Sequence, residues 1–194
     1  MMNSCSYQSP PTQDNGLFRY ATGDEVHKAF REHKEELAWL AVFLTANAEL
    51  AEVCVVDACA VAVTPNDLCV QWLERWTRRC TIRSAVEMQQ SRISLLASAY
   101  ERTPCPHPDH TPLAPVALDL LYDKAEELGS RLDVLCRAAV VLIGIEHYSP
   151  SESAKILGIS RTAVEAAYCA ALRFFEILCC EMLVDLGVGV QPCC

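Results

Sequence analysis

Four prolines near the middle of the sequence divide a chain that is otherwise rich in helix-forming residues. They stand at alternate or near-alternate positions: Pro104, Pro106, Pro108 and Pro112. Proline lacks the backbone N–H that a helix needs and clashes with the preceding turn, so this run favours an extended backbone. Glycine is scarce, whereas Ala, Leu and Glu are common. The sequence therefore predicts an all-α protein with two small helical domains.

The prolines also set the predicted domain bounds. We expect a flexible tail at 1–21, a first helical domain at 22–101, a proline-rich linker at 102–112, a second helical domain at 113–186 and a flexible tail at 187–194. A chain of 194 residues is long enough for two small domains. The terminal stretches are the parts of a chain that are most often poorly ordered.

The clearest helical pattern of the second domain covers 148–177. Ser149 and Glu152 have the spacing of a capping box, and Gly158 predicts the end of that first helix. A longer helix follows Ser160, with apolar residues at three- and four-residue steps. This order predicts a helix-turn-helix, which either places its second helix in the major groove of DNA or forms an ordinary helical hairpin.

One concentrated basic strip occurs in the first domain, on a helix predicted from Leu68 to about Met88. It comprises Arg75, Arg78, Arg79 and Arg83. Three of the four are spaced four residues apart and share a helix face. Such a strip suits DNA phosphates, although a solvated face paired with neighbouring glutamates explains it equally well. The formal net charge of −9 argues against promiscuous nucleic-acid binding but allows a local basic strip.

Residues 131–175 resemble region 4 of an RNA polymerase sigma factor of the extracytoplasmic-function type, in the sigma-70 family. The similarity lies in the runs 132–142 and 148–161 and in Val164. In that family this domain binds the upstream (−35) promoter element. The resemblance implies promoter contacts from Ser160, Arg161, Thr162 and Arg173.

The first domain resembles region 2 of the same family. The run 71–73, Trp76 and the arginines match a helix that helps to open the promoter, which implies DNA contacts from Arg75, Arg78, Arg79 and Arg83. The run 51–57 matches a motif that holds RNA polymerase, and the resemblance implies polymerase contacts from Glu52 and Asp57. Val53 and Val56 stand where the family has an acid and a glutamine.

The predicted recognition helix leaves a second hypothesis open. Its expected outer surface is poor in cations, which weakens the phosphate-dependent part of DNA binding. Its small apolar face suits a protein partner and comprises Ala163, Ala166, Ala167 and Ala170. We therefore expect either a sigma-like transcription initiation or regulatory protein that associates with core RNA polymerase and promoter DNA, or a degenerate sigma scaffold that binds a protein and no longer reads DNA. Both hypotheses leave room for a regulatory protein partner.

The cysteines and the hydropathy pattern indicate the cellular compartment of the protein. We find neither a signal-peptide pattern at the start nor an apolar run long enough to cross a membrane. The sequence thus predicts a cytoplasmic protein with free thiols and no membrane partner. Five cysteines lie in helical patterns and are expected to act as small core residues: Cys54, Cys59, Cys80, Cys136 and Cys169.

The linker carries residue types that can ligate zinc, namely Cys105, His107, Asp109 and His110. Their spacing does not match that of a closed four-ligand site, so we expect no metal and no other cofactor. The sequence shows no nucleophile–base pairing and no glycine-rich phosphate loop, and we expect no enzymatic activity.

Overall fold

The structure is a computed structural model that describes residues 19–64, 68–103, 105, 113 and 115–185, with side chains as far as 181. Nine α-helices run through these residues: α1 (Gly23–Glu32), α2 (Lys34–Thr45), α3 (Ala48–Ala62), α4 (Leu73–Tyr100), α5 (Pro115–Asp123), α6 (Ala125–Arg131), α7 (Val134–Ala139), α8 (Pro150–Leu157) and α9 (Arg161–Asp185). The described ranges contain no β-strand, and the predicted all-α class is confirmed. None of the described helices has the length and hydropathy needed to cross a membrane.

Local capping signals set several helix ends. At α1 the Thr22 hydroxyl accepts from the Glu25 N–H at 3.3 Å, and the Glu25 carboxylate accepts from the Thr22 N–H at 2.9 Å. Ser149 and Glu152 form the same reciprocal pair at α8. These capping boxes each satisfy two backbone donors that a helix start leaves unpaired. The spacing of Ser149 and Glu152 therefore predicts the start of α8 correctly.

Helix α4 is longer than predicted. A 3-10 turn at Val70–Trp72 leads into it, and it then continues through residue 91 to Tyr100. The extension is stabilised by Ile93 and Ala97, which are buried one turn apart on the same face. Helix α7 also continues, as a π-helical segment at Val140–Ile145. Helix α4 packs against α2 and α3 and also against α7 and α9.

One apolar core joins both predicted domains. Its fully buried members come from each helix from α2 to α9 and include Leu40, Phe43, Cys54, Ile93, Leu121, Leu128, Leu135, Leu157 and Val164. A smaller cluster of Val26, Phe30, Leu37, Ala58, Ala62 and Cys80 lies among α1 to α4. Since helices from both parts share the main core, burial of apolar surface holds the two parts together. The bounds of the two domains stay a prediction.

Buried polar groups also connect the two parts. The Arg137 guanidinium donates to the Leu44 carbonyl at 3.1 Å and to the Gly129 and Leu132 carbonyls at 2.6 Å each. The Trp39 indole N–H donates to the Leu121 carbonyl at 2.9 Å. The bonds to Leu44 and Leu121 join α2 to α7 and to α5, and the other two join α7 to the end of α6. They satisfy carbonyls at helix ends that would otherwise be costly to bury.

The prediction that Cys169 is a free thiol is wrong, because it forms a disulfide with Cys105. Cys54, Cys80 and Cys136 are free and buried, as predicted. Burial raises the pKa of Cys80 to about 11 and that of Cys136 to about 12. The other candidate linker ligands, His107, Asp109 and His110, lie outside the described residues, as do most of both predicted tails.

Candidate nucleic-acid interface

Helices α8 and α9 are joined by a tight turn at Gly158. This residue has φ of +65°, a left-handed conformation that glycine adopts without a steric penalty. The Ser160 hydroxyl then accepts from the Ala163 N–H at 3.2 Å. The chain thus forms a short helix, a glycine turn and a longer helix in the predicted positions.

The predicted small apolar face of α9 is not available to a partner. Ala163, Ala166 and Ala167 are buried, and Ala170 is half-buried. Helix α9 packs against α4, α7 and α8, and the Cys136 thiol donates to the Ala167 carbonyl at 3.3 Å. The expectation of an exposed alanine face is therefore wrong. Small side chains here allow neighbouring helices to approach closely, which is a packing role.

The polar residues predicted to contact DNA from α9 lie on the remaining surface. Thr162 and Arg173 are exposed. Arg161 is also exposed, and its Nε lies 2.8 Å from a carboxylate oxygen of Glu165, one turn further along. Ser160 is half-buried at the helix start. The surface that α9 offers is thus narrow and only partly cationic.

The four arginines of α4 do not share one environment. Arg75, Arg79 and Arg83 are exposed, and Arg83 Nε lies 2.7 Å from a Glu87 carboxylate oxygen. Arg78 differs, because its side chain is only 13% exposed and bonds the carboxylates of two other elements. Its partners are Glu36 in α2 and Glu146 after the π-helical segment. Arg78 is therefore an ion-pair link within the fold, and three arginines of the strip face solvent.

A groove of about 500 Å³ lies between α4 and α8. Arg79 and Arg83 line it from α4, and Lys155 lines it from α8. Apolar side chains, including Ile82, Val86, Leu142 and Ile156, form the rest of the wall. The groove thus has cations on both sides and an apolar floor. Lys155 was missed in the sequence, because the side chain joins the basic strip only through the packing of α8 near α4.

A second cavity of about 460 Å³ adjoins the groove at Tyr148, which lines both. It lies at the starts of α8 and α9 and is lined by His147, Ser149, Ser151 and Arg161, among others. His147 has φ of +57°, an uncommon left-handed conformation for a residue other than glycine. Both cavities therefore lie along α8, with Tyr148 in the wall of each.

The charges that line the groove favour anions. Arg79, Arg83 and Lys155 outnumber Glu87 there, which leaves a local charge of +2 in a chain of net charge −9. In the second cavity the charges of Arg161 and Glu152 cancel. The pKa of Glu152 is lowered first by its hydrogen bonds from Ser149, and further by Lys155 and Arg75. Both cations therefore act on the same carboxylate.

The predicted polymerase-binding residues lie on α3. Glu52 and Asp57 are both exposed. Four large apolar residues of the same helix are also exposed, namely Leu50, Val53, Val56 and Val61. Val56 is the most exposed of them, at 67%. The outer surface of α3 thus combines carboxylates with apolar side chains that the fold leaves uncovered.

One group of described residues has side chains close enough to hold a metal ion. Ligand atoms of His33, Glu36 and Glu74 all lie within 4.8 Å of one another. Glu36 already binds the Arg78 guanidinium, and α2 and α4 both begin here. Helix starts carry partial positive charge, which disfavours a cation. These residues are better explained as an ion-pair cluster.

Compared with known protein families, with curated proteins and with solved structures, the chain matches none.

Proposed function

We propose that this chain is a sigma-factor-like transcription regulatory protein that associates with RNA polymerase and promoter DNA. The observation that carries the proposal is the groove in which Arg79 and Arg83 of α4 meet Lys155 of α8. Cations on two helices that line one groove can neutralise neighbouring phosphates of a nucleic-acid backbone. The short helix, glycine turn and longer helix of α8 and α9 support the same reading.

The proposed polymerase contact is made by α3. Glu52 and Asp57 are two of its exposed carboxylates, and Val53 and Val56 add apolar surface between them. Exposed apolar side chains beside charged ones are typical of protein interaction surfaces. A cationic partner helix would satisfy both features.

The first test is promoter-fragment binding across a salt series. If about four phosphates are neutralised, log K falls with log salt at a slope of roughly −3 to −4. The double variant Arg79→Gln, Lys155→Gln should lower affinity and reduce the slope by about two, since two phosphate contacts are lost. Binding by electrophoretic shift or fluorescence anisotropy measures both quantities.

Arg92→Gln is the matched control. Arg92 is exposed on α4 but lies about 180° around the helix from Arg83, away from the groove. The Arg92→Gln variant should leave the DNA affinity and the slope of log K against log salt unchanged. Equal losses in the control and the double variant would contradict the proposed groove.

A second candidate function is a protein-interaction module without DNA binding. The exposed apolar side chains of α3 favour it, and the partner surface would be α3 in place of α9. Co-elution with core RNA polymerase separates the candidates. Co-elution without promoter binding would support the module, and no association with polymerase would contradict the sigma-like proposal.

A further inference from the structure

The disulfide between Cys105 and Cys169 joins the end of the first part of the chain to the middle of α9. Helix α4 ends at Tyr100, and Cys105 follows shortly after it. The Cα atoms of the two cysteines are 6.2 Å apart. The backbone at residue 105 is therefore held directly against α9.

Cys169 lies on the same face of α9 as two residues that are predicted to contact DNA. Thr162, Cys169 and Arg173 are separated by seven and four residues, which places them within about 40° of one another around the helix axis. Thr162 and Arg173 are exposed and are among the DNA contacts predicted from the sequence. Cys169 lies between them on the same stripe.

The backbone of residue 105 beside this face of α9 is incompatible with entry into DNA. An α-helix with its side chains is about 10–12 Å wide. The major groove is about 12 Å wide, so it admits one helix and little else. Residue 105, held 6.2 Å from the Cys169 backbone, would collide with the groove wall or the base edges.

We infer that Cys105 and Cys169 form a reversible thiol–disulfide switch that blocks the DNA-facing stripe of α9 when oxidised and frees it when reduced. The inference rests on the proposed function. It adds a means of regulation that depends on the cellular thiol pool.

The chemistry requires a low-molecular-weight disulfide such as glutathione disulfide as oxidant. One cysteine thiolate attacks this disulfide, which forms a mixed disulfide and releases one glutathione thiolate. The thiolate of the other cysteine then attacks the protein sulfur of the mixed disulfide and releases the second glutathione. Two protein thiols are oxidised, glutathione disulfide is reduced to two thiols, and the two protons pass to the released thiolates.

Four of the seven other described thiols are buried, and burial raises the pKa of the half-buried Cys59 and Cys179. Cys54, Cys80 and Cys136 are buried, and thiols shielded in apolar surroundings react slowly. Cys180 is exposed on α9 but lies eleven residues beyond Cys169, outside the Thr162–Arg173 stretch. It offers a matched control for thiol chemistry that does not touch the proposed stripe.

The test uses the full chain equilibrated in mixtures of reduced and oxidised glutathione. Free thiols are trapped with a maleimide and the disulfide is located by peptide mass, while promoter-fragment binding is measured on the same samples. Oxidised wild type should bind about tenfold or more weakly than reduced wild type, since the α9 contacts are lost. Cys105→Ser and Cys169→Ser should bind equally in both mixtures, and Cys180→Ser should behave as wild type.

The outcomes separate the switch from the proposed function. Equal DNA binding by oxidised and reduced wild type, with the disulfide present, would overturn the switch and leave the proposed function intact. Failure to find the Cys105–Cys169 bond in any mixture would also overturn the switch alone. No DNA binding by any form, the serine variants included, would overturn the proposed function and the switch with it.

Discussion

Arg137 shows at the residue scale how one side chain can connect distant segments. It is buried, and it donates to carbonyls near the C-terminal ends of α2 and α6. Those ends carry partial negative charge, which favours a cation. Burial lowers the pKa of the guanidinium, and the nearby Asp133 carboxylate opposes that shift. The backbone dipoles of two helices thus compensate the buried charge.

Replacing Arg137 should be strongly destabilising. Arg137→Met keeps the apolar stem but leaves the three carbonyls without this donor, and we expect the free energy of unfolding to fall by about 3 kcal/mol or more. Urea denaturation followed by circular dichroism measures the change. Arg79→Met, at an exposed site, should change stability by no more than about 0.5 kcal/mol. Similar small effects for both variants would show that the Arg137 bonds contribute little.

The sequence predicts the local contacts of single residues better than their long-range contacts. Ser149, Glu152 and Gly158 act within one turn of the chain, so their spacing alone predicts the ends of α8 correctly. The Leu44 carbonyl lies 93 residues from Arg137. The distance between Lys155 and the arginines of α4 is likewise set by packing. Local capping can be read from the sequence, whereas these contacts depend on the whole fold.

The capping box of α8 predicts a change in pH dependence. Hydrogen bonds from Ser149 hold the pKa of Glu152 below its ordinary value of 4.5. A carboxyl group whose pKa is lower in the folded state than in the unfolded state stabilises the fold at pH values above the unfolded-state pKa. This stabilisation is lost as the pH falls through the folded-state pKa. Ser149→Ala removes the hydroxyl donor but keeps the backbone N–H, so it should raise the pKa of Glu152 part of the way toward 4.5 and weaken this contribution to acid sensitivity.

An NMR titration of the Glu152 carboxyl group, with unfolding measured between pH 3 and pH 6, would check the change. Ser151→Ala is the control, because Ser151 is exposed in the same turn. An unchanged Glu152 titration in Ser149→Ala would contradict the assigned cause.

Helix α9 is the element whose surroundings the sequence predicted least well. Its Val164, Tyr168 and Phe175 stripe is buried, as the three- and four-residue spacing indicates. Most of the small apolar face of α9, which we call the alanine stripe (Ala163, Ala166, Ala167 and Ala170), is buried as well, because α4 and α7 also pack on α9. Alanine fits an exposed helix face and a tightly packed one equally well. Only the tertiary structure distinguishes the two.

A charge on the alanine stripe tests this packing. Ala167→Glu would put a carboxylate into a fully buried site, and we expect a loss of about 3 kcal/mol or more in the free energy of unfolding. Ala99→Glu, on the exposed side of α4, should be nearly neutral. Denaturant unfolding of both variants gives the comparison. A neutral Ala167→Glu would mean that this face is open to solvent.

At the scale of the whole molecule, the shared core favours one cooperative unit. All three tryptophans lie in the first part of the chain: Trp39, Trp72 and Trp76. Trp72 and Trp76 report that part, Trp39 also reports its contact with Leu121 in the second part, and far-ultraviolet circular dichroism reports every helix. We expect both signals to change in a single, coincident transition. Separate midpoints would show that the two predicted domains unfold independently.

The same unfolding experiment in the presence of a reductant measures how much the disulfide stabilises the fold. The bond connects residues 64 positions apart, and a crosslink of that span stabilises a fold by about 4 kcal/mol at most. The midpoint should therefore fall in reductant, while the two signals still coincide because the core remains. The paired serine variants should reproduce the lower midpoint without reductant.

The burial of α9 on several sides also has an evolutionary consequence. Substitutions at Ala163, Ala166 or Ala167 would disturb the core, so they would be removed by selection whatever the helix binds. Positions such as Thr162 and Arg173 can change at little cost in packing. If descendants of this chain acquire new partners through α9, their innovations will be confined to that narrow outer stripe.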